Sequence, residues 1–396
     1  MPDTVGSLPS ATSATSGGRY IYIACPWTPV GGGMYKVADY LIQSQAQYTP
    51  ANAAQLRALD TRGGGSAVWS LWVLLTALAK LARGRVSGNL AGVHVNMAER
   101  LSLVRKSAVV VASRALGVPV VLHLHAAQLH HFYRALPLPL QRLTRWVFSL
   151  PASVVVLGAT ARRFVIEELH VEPKRVEVVI NGVPEPALPK RARDPRAPRR
   201  VLFLGNLSER KGVTDLLKAL ALPGFDSTGV EVVLAGGGDV DGYRSKASGL
   251  GLGEWVKFAG WCDQQQVARM MADADVLVLP SYDEGLPLVI LEALAHGVPV
   301  VCTPVGEIPA VLTDGATACF VEPGDAAGIA AALQRVLREP GLLEALGRNG
   351  RALYERQFSL SRFFNSVARI HRRHFGIAGQ PLQPAQPAQP QKETVA

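Results

Sequence analysis

Cysteine is scarce in this chain: four residues in 396, at positions 25, 262, 302 and 319. None forms a C-x-x-C pair, which argues against a zinc site or a disulfide framework and reads as buried thiols in a reducing compartment. No G-x-x-x-x-G-K-[ST] loop occurs, so P-loop ATP hydrolysis has no support, and no G-x-G-x-x-G opens a helix, so an NAD enzyme is not expected. Zinc-finger, helix-turn-helix and RNA-binding signatures are missing too, and no nucleic-acid partner is expected. Residues 1–18 are rich in Ser, Thr, Gly and Pro, with neither the basic nor the apolar segment of a secretory signal. They are expected to be disordered, and the protein cytoplasmic. The longest apolar-rich run, Ser66–Ala79, is expected to be too short to span a bilayer.

Acid is missing from one long stretch. Between Arg100 and Ile166 there is no Asp or Glu, against nine Lys and Arg. Residues 1–183 hold 18 basic and 8 acidic residues, whereas 201–396 hold 17 and 21. A basic half suits phosphorylated ligands or an anionic membrane surface. Its cations are interleaved with apolar side chains in LPLQRLTRWVFSL (138–150), a pattern for an amphipathic helix making peripheral contact with an anionic membrane. Apolar residues make up 48% of the chain and charged ones 18%, enough for a large buried core.

Strands alternate with helices along most of the length, which predicts α/β lobes built on doubly wound parallel sheets. Residues 19–183 form one Rossmann-like lobe, beginning with strand Arg19–Cys25 and the Gly/Pro loop Pro26–Gly33. Ser66–Ala82 is apolar nearly all round and is expected to be a core helix in preference to a shallow membrane dip. Residues 184–200, rich in Pro and Arg, are a linker; 201–360 restart the pattern as a second lobe. A helix over 361–378 follows, and the Pro/Gln/Ala tail 379–396 is expected to be disordered.

The stretch Asp275–Pro304 has the densest chemistry. An apolar strand, Val276–Leu279, ends at Pro280; a short loop leads to Pro287, well suited to a helix start; Gly297-Val298-Pro299 stops that helix. Glu284 lies in the loop and Glu292 more than one turn into the helix, with the free N–H groups of the helix start between them. This suits an anion flanked by two hydroxyl-binding acids, though a capped surface helix explains the spacing equally well. Ligands of open α/β sheets bind beyond the carboxyl ends of strands. There stand Gly31-Gly32-Gly33, His125 (with His123 on the same face) and the loop Gly205-Asn206-Leu207-Ser208-Glu209-Arg210-Lys211-Gly212. Gly236-Gly237-Gly238 is the weaker candidate.

Taken together, E-G-L-P-L-V-I-L-E (284–292), ADVLVLPS before it, HGVPVVCTPVGEIPAV after it, Asn181-Gly182-Val183, Leu204-Gly205 and Lys211-Gly212 carry a resemblance. Over roughly residues 19–375 the sequence resembles the retaining glycosyltransferases of family 4, which have the GT-B fold of two Rossmann-like lobes about a cleft. The resemblance implies a hexosyltransferase using a nucleoside-diphosphate sugar, without metal or other cofactor, on a lipid-linked or polysaccharide acceptor at the inner face of the membrane. It implies that Glu284 meets the donor sugar, Glu292 the ribose and Lys211 the diphosphate. Gly32, Gly33, Gly285, Leu286 and Pro287 would border the donor, His125 would stand on the acceptor side, and the base would rest near Gly260–Gln264. The family commonly has Arg where Asn206 stands. Losing one guanidinium from a diphosphate site costs about 1.5–3 kcal/mol; Arg210 is the candidate replacement. The alternative is a non-catalytic homologue that binds nucleotide sugar as a regulatory or partner subunit.

Overall fold

The computed structural model describes residues 18–28, 32–48, 54–188 and 197–377. Gly31, residues 1–17, the inner part of the expected linker and the tail from Gly379 lie outside the described residues. The first lobe runs β1 Tyr20–Cys25, α1 Gly32–Tyr48, β2 Gln55–Asp60, α2 Ala67–Val86, β3 Leu90–Met97, α3 Leu101–Ala115 and β4 Val120–Leu124. It continues with α4 Leu129–Arg134, α5 Leu138–Ser149, β5 Ser153–Val156, α6 Ala159–Glu167 and β6 Val176–Val178. The second runs β7 Arg199–Leu204, α7 Val213–Leu220, β8 Val230–Ala235, α8 Val240–Gly249, β9 Val256–Gly260, α9 Gln264–Asp273 and β10 Val276–Leu279. Then come α10 Leu288–Ala295, β11 Val300–Cys302, α11 Ile308–Val311, β12 Cys319–Phe320, α12 Ala326–Arg338, α13 Leu342–Leu353 and α14 Leu360–Phe375.

Each lobe holds one parallel six-stranded sheet, ordered β2-β1-β3-β4-β5-β6 and β12-β11-β10-β7-β8-β9. Every residue of β3, β4, β5 and β10 is buried, as in strands covered on both faces, the polar His94, Asn96, His123 and Ser153 included. The strand order reverses between β1 and β3 in one sheet and between β7 and β10 in the other. Such switch points open a crevice at the carboxyl ends of their strands, and the two crevices face one another.

Two expectations fail in the first lobe. QLRALD, read as no element, is edge strand β2; only Leu56 and Leu59 of it are buried, so it lacks the apolar run of its neighbours. The helix expected in the core is α2, and it buries only Ala77, Leu81 and Gly84. Its apolar outer face is open: Trp72 is 58% and Trp69 51% exposed. At 20 residues it is also long and apolar enough to cross a bilayer, contrary to the length expected from the run. It packs instead along α3, β2 and β3.

The lobes meet at a hinge. Val183 pairs with the segment leading into α14, its N–H donating to Phe358 O at 2.9 Å and its carbonyl accepting from Leu360 N at 2.9 Å. Gly182 is required there, since a Cβ would stand 2.7 Å from the Phe363 Cβ and the Ser359 carbonyl. Helix α14 then crosses back to pack on α1, β3 and β4.

Candidate functional site

A cleft of about 1120 Å³ separates the lobes, large for a single small ligand. Gly32, Gly33, His125, Asn206, Arg210, Lys211, Gly285, Leu286, Pro287, Glu284 and Glu292 all line it, as do Trp261–Gln264. His123 does not: it is fully buried behind His125. Gly236–Gly238, the weaker candidate, forms part of the wall. The β7 and β8 loops lie against one another there, Leu207 N donating to Gly237 O at 2.7 Å, and Gly236 (φ +146°) leaves no room for a Cβ beside the Gly205 carbonyl.

The cleft floor is made by two helix starts. Helix α1 begins at Gly32 and α10 just after Pro287, and a Cβ on Gly33 would touch the Leu288 side chain at 3.7 Å. Helix N-termini offer unpaired N–H groups and partial positive charge, so two converging starts favour an anion between them. Pro287 precedes α10 in extended conformation and so forms the cap position, with the first helical turn beyond it.

The charged side chains pair off across loops. The Lys211 ammonium donates to the Glu284 carboxylate, both side chains being nearly buried. Beside them Arg210 donates to the Asp283 carbonyl at 2.6 Å, while Tyr282 N donates to Arg210 O at 2.9 Å. The β7 and β10 loops are thereby stapled together. Glu292 reaches across the cleft, accepting from Lys36 Nζ at 2.9 Å and from the Tyr40 hydroxyl at 3.4 Å, both on α1. Burial, then the charge of Glu292, pushes the Tyr40 pKa up, which keeps its hydroxyl protonated as a donor. Lys36 and Tyr40 were not read from the sequence; their i, i+4 spacing on one helix face was the available signal.

His125 closes the first-lobe side. Its Nε2 donates to Asn96 Oδ1 at 2.7 Å, leaving the neutral ring's lone pair on Nδ1. Burial and neighbouring His94 pull its pKa down to about 3, so the ring is neutral near pH 7. Behind it stand three buried histidines. His94 Nδ1 meets His371 Nε2 at 2.8 Å, His94 Nε2 meets His123 Nδ1 at 3.2 Å, and the His123 and His125 rings lie 4.1 Å apart.

Glu307, also unread, spans the lobes. Its carboxylate accepts from Thr160 N at 3.3 Å and Ala161 N at 2.8 Å, capping first-lobe helix α6, while its own N–H donates to Gly285 O at 3.0 Å. Two Asp-x-Asp spacings occur away from these groups, and their side chains serve local structure. Asp275 accepts from Arg200 N at 2.7 Å, Asp273 from Arg200 Nη1 at 3.3 Å, Asp239 from Gly242 N at 3.0 Å and Asp241 from Arg244 Nη1 at 2.5 Å.

Residues 185–353 match the family described as "Glycosyl transferases group 1". Among curated proteins, the chain is 27% identical over 260 residues to a glycogen synthase of Mycobacterium tuberculosis, covering 64% of this chain and 63% of that protein. It is 36% identical over 196 residues to a phosphatidyl-myo-inositol mannosyltransferase of Mycobacterium leprae, covering 48% and 51%. The matched region thus spans one half to under two thirds of the length of these relatives. In structure it resembles a sucrose-phosphate synthase of Thermosynechococcus elongatus at a TM-score of 0.70 and 19% identity, over 90% of this chain and 98% of the other. The two facing sheets are the GT-B fold, and the match to the glycosyl transferases group 1 family falls on its second lobe and the segment that leads into it.

Proposed function

We propose that the protein is a retaining hexosyltransferase, moving a hexose from a nucleoside-diphosphate sugar to a lipid-linked or polysaccharide acceptor in cell-surface polysaccharide synthesis. It works in the cytoplasm at the inner face of the membrane, without a metal ion. The observation that carries this reading is the convergence of the α1 and α10 starts with Lys211 and Glu284 at the two facing switch points. A leaving diphosphate gains negative charge as the sugar departs. Oriented N–H dipoles and the Lys211 and Arg210 cations would stabilise that charge without reorganising.

Glu284 would hold donor-sugar hydroxyls while orienting Lys211. Glu292, fixed by Lys36 and Tyr40, would accept from the ribose hydroxyls, and Trp261 offers a flat face for the base. His125, neutral and fixed by Asn96, would accept a hydroxyl hydrogen bond on Nδ1. The phosphatidyl-inositol acceptor in the name of the M. leprae relative supports a lipid acceptor here. The Arg210 guanidinium in the cleft favours transfer over binding alone, since it can replace the cation missing at Asn206.

The test is a panel of nucleotide sugars incubated with the protein and an excess of chelator, read as nucleoside diphosphate released. One donor should be turned over, and Lys211→Ala should abolish most of that turnover. Equal rates in the wild type and Lys211→Ala, or no release from any donor in the panel, would sink the reading. Retention is checked by following the anomeric proton of the product.

A further inference from the structure

The open face of α2 is part of a larger surface. Right-handed crossovers put α2, α3 and α5 side by side on one face of the first-lobe sheet, while α14 packs with α1. Of the eighteen large apolar side chains exposed among the described residues, twelve lie on those three helices. They crowd toward the helix starts: Trp69 and Trp72 on α2, Leu101 and Val104 on α3, Leu140 and Leu143 on α5. Helix starts lie at the carboxyl ends of strands, so this apolar band runs along the edge where the cleft opens. Glu99 and Arg100, at the start of α3, line the cleft itself.

The band is built to stay exposed. The Trp69 indole lies over Gly63 and Gly65, where a Cβ would approach the ring to 2.7 Å. Ser66 caps the helix, accepting from Trp69 N at 3.4 Å, and Ser70 Oγ donates to Arg62 O at 2.6 Å. Seated on this glycine backbone, the Trp69 ring is half exposed.

Charge selects the occupant. Helices α2, α3 and α5 carry no acid, and Lys80, Arg83, Arg85, Arg114 and Arg142 are exposed on them. A second copy docked face to face through a two-fold axis would set these cations against each other. An anionic bilayer does the reverse: its headgroups meet the cations, its interface accepts tryptophan, and the apolar band enters the acyl boundary.

We propose that α2, α3 and α5 form a bilayer-docking plate for anionic lipid, with Trp69 and Trp72 at headgroup depth and the cleft mouth held against the membrane. The lipid-linked acceptor of this arrangement rests on the function proposed above; the plate itself does not. A lipid-borne sugar would then enter the cleft with its tail still in the bilayer.

The test uses the full chain and vesicles of phosphatidylcholine with or without phosphatidylglycerol. Wild type should float with the anionic vesicles at low salt, leave them as salt rises, and show a blue shift of tryptophan emission on binding. The double variant Trp69→Ala/Trp72→Ala should lose about tenfold or more in partitioning, with its thermal midpoint retained. Lys80→Gln/Arg83→Gln, both exposed on α2, should weaken the preference for anionic lipid, and an unchanged preference would overturn the choice of occupant. Wild type ignoring anionic vesicles overturns the plate, as does undiminished binding by the tryptophan variant. So does a dimer that this variant dissolves, which would make the band a self-association surface. Donor turnover, measured in the same samples without vesicles, keeps the two readings apart. Turnover without vesicle binding defeats the plate and the membrane location and leaves the sugar transfer standing, whereas vesicle binding without turnover defeats only the glycosyltransferase reading.

Discussion

The two lobes share a sheet plan and differ in what they do with their polar groups. The second lobe pairs its charges across the cleft-side loops and covers its sheet with ordinary apolar helices. The first lobe buries uncharged histidines behind its cleft wall and leaves tryptophans outside. Its excess of ten basic residues contrasts with a deficit of four in residues 201–396. The contrast teaches that one backbone plan serves two physical tasks. Holding a small anion needs paired, preorganised charges, whereas meeting a large partner needs open apolar area and unbalanced charge.

The largest expected effect lies on the second-lobe side. Lys211→Ala and Glu284→Gln should each lower donor turnover by about 10²–10³-fold, measured as nucleoside diphosphate release. Removing either partner also leaves the other nearly buried and unpaired, so both should lower the melting temperature. A first-lobe variant such as Trp72→Ala with an equal loss of turnover on a soluble acceptor would break the division.

Acid should find the first lobe first. Burial holds His94 and His125 at about 3, below their ordinary 6.5, and pulls His123 and His371 well down. The folded state keeps these rings neutral while the unfolded chain binds protons from 6.5 downward. Their contribution is therefore intact above that value and lost progressively between pH 6.5 and 3. Thermal melts across that window should show a falling midpoint, and His371→Phe should flatten the fall. A slope unchanged in that variant would remove the stack from the account.

Asn206→Arg sharpens the second lobe. A guanidinium added beside Arg210 should tighten donor binding by about tenfold, read by calorimetry. No change would mean Arg210 already fills the role.

Glu307→Ala should have the smallest effect. Loss of the α6 cap costs about 1 kcal/mol, and the lobes lose a tie. Donor KM should rise a few-fold with kcat less altered, and small-angle scattering should show a larger radius. An unchanged radius would mean that the lobes do not need the tie.

What could be read from the sequence was local. Val276–Leu279, Pro287 and the acids at 284 and 292 follow one another within seventeen residues, so strand, loop and helix start announce themselves in order. The fold class followed from the same rhythm. Strand β2 escaped because an edge strand needs few apolar residues. Helix α2 was turned inside out: an all-apolar pattern reports hydrophobicity, and the environment that satisfies it can be core or lipid. Lys36, Tyr40, Asn96 and Glu307 escaped because their partners lie 256, 252, 29 and 147 residues away. No spacing rule reaches that far.

Helix α14 bears on how the chain is made. Phe375 packs where Gly92 leaves space, His371 ends the histidine row, and Arg19 donates to the Gly376 carbonyl at 3.2 Å. The lobe that leaves the ribosome first therefore lacks one helix of the layer it shares with α1 until residue 376 has emerged. During synthesis the second lobe can close while the first still waits, so the order of translation and the order of completion are opposite.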